Sequence, residues 1–337
     1  MALSEHSWSP ETIKQAVQEG VEIASYRRAA KRFEELTKIP MSKSSLGRLV
    51  KEYGGQLVKH QATAAEATVK PLAAGEEILW RDIPELDSQT MAVSLDGAMI
   101  NIREEGWKEV KIATISAVKV ELTAAGAEPE VHLSQHSYRA GLWEAKEFAK
   151  HQWAEGCQRG LEKAKHVVSV NDGALWIWLI IQMCWAPCVE ILDWWHAIER
   201  LWEVAHQLLT EDDQQVTSWM KQQKTALWDS RLRDVFAAIR LLSPRSHPLP
   251  DPVRQVVGYL FNNRHRVRYK EFRQAGFPIG SGSVESACKL VVQARMKQAG
   301  MRWSRDGAQA MLALRSVLLS DRFDEVWPSL LPSPKPT

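Results

Sequence analysis

The chain has 337 residues, 45% hydrophobic and 25% charged, enough apolar material for a large core divided over two or three domains, which excludes a disordered tail. Its 43 Lys and Arg against 41 Asp and Glu sum to only +2, but residues 27–51 hold eight basic and two acidic residues, residues 264–305 hold ten and two, and the rest is acidic. Four cysteines, at 157, 184, 188 and 288, fit neither a disulfide framework nor a paired zinc ribbon, and the N-terminus lacks the basic-then-apolar order of a signal peptide, so a reducing compartment is expected.

Along the chain, Pro10 to Ile23 reads as a first helix. Ala29, Ala30, Phe33 and Leu36 then recur at helical spacing, the pattern breaks at Lys38-Ile39-Pro40, and Leu46, Leu49 and Val50 resume it. Ser42, Ser44 or Ser45 can cap the second helix of this pair, and Gly54-Gly55 is expected to end it. The polar faces carry Arg27, Arg28, Lys31, Arg32, Lys43, Arg48 and Lys51, which suits a helix-turn-helix in residues 1–60 that binds DNA; a helical hairpin with solvated charges is the alternative. Residues 61–88 read as a linker.

From residue 89 the period changes. Met91 to Gly97 is an apolar run closing on Asp-Gly, residues 110–120 alternate as a strand does, and Glu130 to Ser134 supplies a third strand. Leu142 to Cys157 is an amphipathic helix, His166 to Gly173 a buried strand again closing on Asp-Gly, Ala174 to Cys184 a helix and Cys188 to Asp193 another strand. The fold class expected for 89–193 is therefore α/β, a mixed sheet flanked by helices. Gln182, Pro187, Glu190 and Asp193 interrupt the apolar stretch Ala174 to Trp195 and argue against a membrane span, and six tryptophans between 176 and 202 suit a core. Trp194 to Leu209, Asp213 to Lys224, Leu227 to Leu242 and Pro252 to Arg273 are helical in pattern, an all-helical insertion over 194–275. A Gly- and Ser-rich turn follows, opening a helix to about Gln298, and Arg315 to Phe323 reads as the closing helix of a segment 276–325, with 326–337 a tail.

Asp96 and Asp172 share one design, an acid at the end of a hydrophobic strand followed by Gly. A lone Asp-Gly is usually a turn, but two such acids on neighbouring strands can hold Mg²⁺ through oxygen ligands. Glu285, in the first turn of a helix with a Gly-rich start and basic neighbours, is the third acid. With two metal ions, three carboxylates can activate a water or a 3′-hydroxyl for phosphodiester attack. Arg264, Arg266, Arg268 and Arg273 before this turn, and Lys289, Arg295 and Lys297 after it, are expected along the nucleic acid; a solvated helix face is the alternative. Asp193 and His196 either orient backbone or phosphate, or are a capping Asp with a packed His.

VSLDG, VNDGALWIW, ILDWWH and PIGSGSVESACK, in that order over residues 90–320, resemble the Asp-Asp-Glu transposases of bacterial insertion sequences, in the ISKra-type group near the Mutator-like superfamily. The resemblance implies an RNase H-like core with a helical insertion between the second Asp and the Glu. It makes Asp96, Asp172 and Glu285 the catalytic metal ligands for two Mg²⁺ ions, with Mn²⁺ as an alternative, and Asp193 and His196 a family motif. It further implies DNA partners (transposon ends and target), a homodimer or higher oligomer on DNA, no membrane association, and a cytoplasmic, nucleoid-associated location in a bacterium. An RNase H-like nuclease that cuts without joining, or a domesticated DNA-binding protein without a metal site, are the rival readings. The N-terminal region departs from larger relatives in lacking zinc-ribbon Cys pairs, and Cys184 and Cys188 read as buried thiols, so no zinc is assigned.

Overall fold

The computed structural model describes residues 8–73, 88–121, 128–209, 213–243 and 248–331. It opens with three helices, α1 (Pro10–Glu22), α2 (Tyr26–Thr37) and α3 (Lys43–Ala73). Ser9 and Ser25 cap the first two by accepting the Thr12 and Arg28 N–H groups, and Ser42 accepts the Ser45 N–H at 3.0 Å at the start of the third. Contrary to the sequence expectation, α3 does not stop at Gly54-Gly55. A Cβ at Gly54 would lie 2.7 Å from both Cβ and O of Ala310, so this glycine serves a close helix crossing and not a helix end. The helix also absorbs residues 61–73 of the expected linker; 74–87 of it, with 332–337 of the expected tail, lie outside the described residues.

Five strands follow: β1 (Thr90–Ile102), β2 (Gly106–Glu121), β3 (Glu130–Gly141), β4 (His166–Asn171) and β5 (Val189–Leu192). They form one mixed sheet in the order β3-β2-β1-β4-β5, antiparallel across β3, β2 and β1 and parallel across β1, β4 and β5. The reading that β1 closes at Asp96-Gly97 is corrected. Ala98, Ile100 and Ile102 keep the period of two and pair with β2, so Asp96 stands inside the strand, opposite Ile112. Met91, Val93 and Leu95 face α4 (Ala145–Gln158) and α5 (Leu175–Trp185) through Phe148, Ile177 and Ile181. Ala98, Ile100 and Ile102 face the other way, into a core shared with Ile13, Phe33 and Leu49 of α1–α3.

Between β5 and Ile279 the described residues form helices only: α6 (Trp194–Leu208), α7 (Asp213–Trp228), α8 (Leu232–Leu241), α9 (Asp251–Asn262) and α10 (Tyr269–Gln274). The helix expected over Pro252 to Arg273 is thus two, parted at 263–268. They close over the outer strands, with Leu201, Leu227, Leu260 and Tyr269 sharing a core with Val168, Val170 and Ile191. The chain then runs through α11 (Gly282–Ala287), a π-helical turn (Cys288–Gln293), α12 (Ala294–Met296), α13 (Arg305–Leu319) and α14 (Phe323–Val326). The closing helix starts ten residues earlier than its expected Arg315, because Ser304 caps it by accepting the Gly307 N–H. Among the tryptophans of 176–202, Trp178 and Trp185 are buried while Trp195 is 61% exposed. No helix among the described residues is long and apolar enough to cross a membrane.

Candidate functional site

The strand registers bring three acids level. β1 and β4 pair Val93 with Ser169, and β4 and β5 pair Asn171 with Leu192. Continued past the last paired residues, those registers bring Asp96 in β1 level with Asp172 and Asp193, the first residues beyond the ends of β4 and β5. The buried Asn171 holds this end of the sheet: its Oδ1 accepts the Leu95 N–H at 2.7 Å and its carbonyl accepts the Asp193 N–H at 2.8 Å. The two Asp-Gly pairs differ in kind. Gly97 continues a strand, whereas Gly173 has φ +90° and leads out of β4 where a Cβ would lie 2.4 Å from the Tyr259 hydroxyl.

Asp193 is fully buried and caps α6. Its Oδ1 accepts the backbone N–H of His196 (2.8 Å) and lies 3.0 Å from His196 Nδ1, and its Oδ2 accepts the Ser281 N–H (2.5 Å). Burial alone would raise the Asp193 carboxyl, but the hydrogen bonds from His196 and Ser281 bring it below the usual range. The same hydrogen bond, with the charges of Asp193, Asp172 and Glu199, lifts His196 to about 9 against the opposing effect of burial. His196 is therefore an imidazolium at neutral pH, set beside acids. Ser281 reaches on to Glu285, with its Oγ 3.4 Å from Glu285 Oε1. Ligand atoms of Asp193, His196 and Glu285 accordingly lie within 4.8 Å of one another, a constellation able to hold a cation.

Asp96 and Asp172 complete the surroundings of this group. Asp96 accepts from the Gly97 N–H (2.6 Å) and from the buried Cys288 thiol (3.0 Å), one helical turn past Glu285. Burial, joined by the charge of Asp172, raises the Asp96 carboxyl above its ordinary value although both hydrogen bonds and His196 oppose the shift. A cation would relieve that repulsion. Asp172 accepts the Ala174 N–H (2.9 Å) on one oxygen, while its carbonyl takes the Tyr259 hydroxyl (2.6 Å). The sequence expectation grouped Asp96, Asp172 and Glu285; the tight trio instead joins Glu285 to the motif pair. Asp193 is fully buried, whereas Asp96, Asp172 and Glu285 are each part-exposed, and a carboxylate oxygen that accepts one hydrogen bond keeps a second lone pair, so these three are the acids open to an incoming metal.

A scan against models of protein families and a search of curated proteins both find no match to this chain. Three of the arginines expected on a nucleic-acid path are interior. Arg266 is 8% exposed, pairs with Glu190 and stacks 4.1 Å from the Trp178 ring. Arg273, equally buried, pairs with Glu128, donates to the Trp228 carbonyl at 3.0 Å and covers the Trp228 ring. Arg295 is 2% exposed and donates to the Gly20 carbonyl at 3.2 Å. Arg27, Arg28, Lys43, Arg48, Arg264, Lys289 and Lys297 are exposed, as are Lys31, Arg32 and Arg268, which pair with Glu35, Glu19 and Glu271. Sequence reasoning missed the supports: Asn171, Tyr259, Tyr269 (whose hydroxyl donates to the Leu192 carbonyl at 3.0 Å), Ser281 and Cys288. A polar residue next to a strand-end acid was the available signal for Asn171; the tyrosines left none, being far away in sequence. All four cysteines are free; Cys157 and Cys288 are buried, whereas Cys184 and Cys188, expected as buried thiols, are only half-buried, with partial burial pushing their thiols up to about 12.

Proposed function

We propose that this chain is a transposase that binds the terminal inverted repeats of its element, cuts the DNA and joins the freed 3′-hydroxyl to target DNA. The observation that carries the reading is the convergence of Asp96, Asp172 and Asp193 in one row with Glu285 docked on it, across 189 residues of sequence. A helical block between the second Asp and the Glu, beside a mixed sheet, is what the family resemblance implies and supports the same conclusion.

In this reading Asp96, Asp172 and Glu285 hold Mg²⁺, which supplies Lewis-acid activation of the attacking oxygen and neutralises charge on the leaving one. Asp193 is a positioning residue. Its carboxylate ties the Ser281 N–H, and through it the Glu285 turn, to the end of β5. His196, held protonated by Asp193, offers an imidazolium N–H to a phosphate oxygen beside the acids. A homodimer or larger assembly on paired element ends completes the proposal.

The test is cleavage and strand transfer of a labelled element end in Mg²⁺ or Mn²⁺, with Asp172→Asn in parallel. The expected result is joined product from the wild type, and DNA binding without cleavage from the variant. Cleavage without joining would make the protein a nuclease, and undiminished cleavage by Asp172→Asn would overturn the site assignment.

A further inference from the structure

A second cluster of cations lies at the far end of β1 from the acids. A cleft of about 390 Å³ opens between α2, α3 and the segment 301–307, and Lys51, Arg103, Arg295 and Arg302 line it with no Asp or Glu. Lys51, Arg103 and Arg302 are exposed, and their side chains have no ion-pair partner among the described residues. Two basic residues nearby are instead neutralised: Arg305 is held bidentately by Glu105 at 2.9 and 2.6 Å, and Arg32 pairs with Glu19. The buried Arg295 forms the floor, fixed between the rings of Tyr26 and Trp303 at 4.8 and 5.3 Å. Ser25 and Ser304, the caps of α2 and α13, are also in the lining, so two helix N-termini add partial positive charge to the same space.

Like charges gathered with no acid among them repel, and an anion relieves the cost. We infer that this cleft grips backbone phosphates of duplex DNA through Lys51, Arg103 and Arg302, an inference that rests on reading the acid row as a DNA-cutting site. The partner is argued from placement. From Asp96 to Arg103 is seven residues of extended chain, about 23 Å, and a duplex of that length offers about seven phosphates on each strand. The helical run that carries Glu285 packs beside β1 and ends at Met296, next to Arg295, and Trp303, seven residues on, pairs with Ile102 at the end of β1. One rigid pair of elements thus connects the grip to the acids, as a continuous polyanion requires and a small phosphate does not.

The test measures the salt dependence of duplex binding by the full chain and by K51Q/R103Q/R302Q. The control is K163Q/K221Q/R233Q, which removes the same charge from exposed sites in other elements. The slope of log affinity against log salt is expected to fall by about 2.7 in the cleft variant, about 0.9 for each phosphate released, and to stay near wild type in the control. Equal slopes in wild type and cleft variant, or equal losses in both variants, would overturn the inference, as would the absence of duplex binding by the wild type. Loss of slope in the cleft variant alone, in a protein that cuts no DNA, would sustain the grip and sink the transposase reading.

Discussion

Removing the Asp193 carboxylate would deprive two separate elements of their shared acceptor. The His196 N–H would lose its cap and the buried Ser281 N–H its partner. Loss of an N-cap costs about 1 kcal/mol, and an unsatisfied buried donor about 1–3 kcal/mol more. Asp193→Ala is therefore expected to lose about 2–4 kcal/mol in urea unfolding and to lower any metal-dependent activity by loosening Glu285; unchanged stability would show that the tether is not under load. Glu155 makes a different residue-scale prediction. Burial pushes its carboxyl up, but the Arg139 and Arg322 guanidiniums and the Ser137 hydroxyl outweigh that and bring it below the ordinary 4.5. A depressed folded value means that this stabilisation is present above about pH 4.5 and is lost as pH falls through the folded value. Glu155→Gln should cost about 3 kcal/mol at pH 7, because it leaves Arg139 buried beside atoms that already lack partners, and should flatten the acid limb of a stability-pH curve. Asp96, Asp172 and Glu285 were legible in the sequence because an acid after an apolar run, or after a Gly-rich turn, is a local pattern. The interior fate of Arg266, Arg273 and Arg295 was not. Their aromatic partners Trp178, Trp228 and Tyr26 lie up to 269 residues away, and a basic run by itself reads as surface.

At the scale of elements, adjacent glycines in α3 should respond in opposite directions. A Cβ at Gly55 would meet nothing within 4 Å, so Gly55→Ala is expected to gain up to about 1 kcal/mol from helix propensity. Gly54→Ala gains the same propensity but drives a methyl into the backbone oxygen of Ala310 at 2.7 Å, and should lower the melting temperature; pairing it with Ala310→Gly should recover only part of the loss, since that oxygen remains. Equal shifts at the two positions would rule out the close crossing of α3 and α13. This crossing also explains why a local reading ended α3 too early. Gly-Gly is a stop signal when nothing packs on it, and only the partner helix, more than 250 residues on, says otherwise. The strands were easier, since β2, β4 and β5 carry their period or apolar run within themselves. β1 was cut short because Asp-Gly imitates a turn while the alternation at Ala98, Ile100 and Ile102 resumes beyond it.

For the molecule as a whole, the core that joins Leu46, Leu49 and Leu57 to Met311 and Leu314 makes the first sixty residues part of the structure and not a detachable module. A chain beginning at residue 61 would expose that face of α13, and calorimetry should find no cooperative transition in it, whereas a soluble fragment melting cooperatively would refute the shared core. DNA contacts in the N-terminal helices must for the same reason be mapped by surface substitutions. The π-helical turn Cys288–Gln293 bears on how Glu285 is aimed. It lies between two fixed ends, Glu285 held near Asp193 through Ser281 and Arg295 anchored on the Gly20 carbonyl. An α-helix advances about 100° and 1.5 Å per residue, and a π turn takes up a residue that this winding has no room for. The bearing of Glu285 is thus set by a count of residues: one fewer between the two anchors, and the acid swings about a quarter-circle out of phase with the strands it faces.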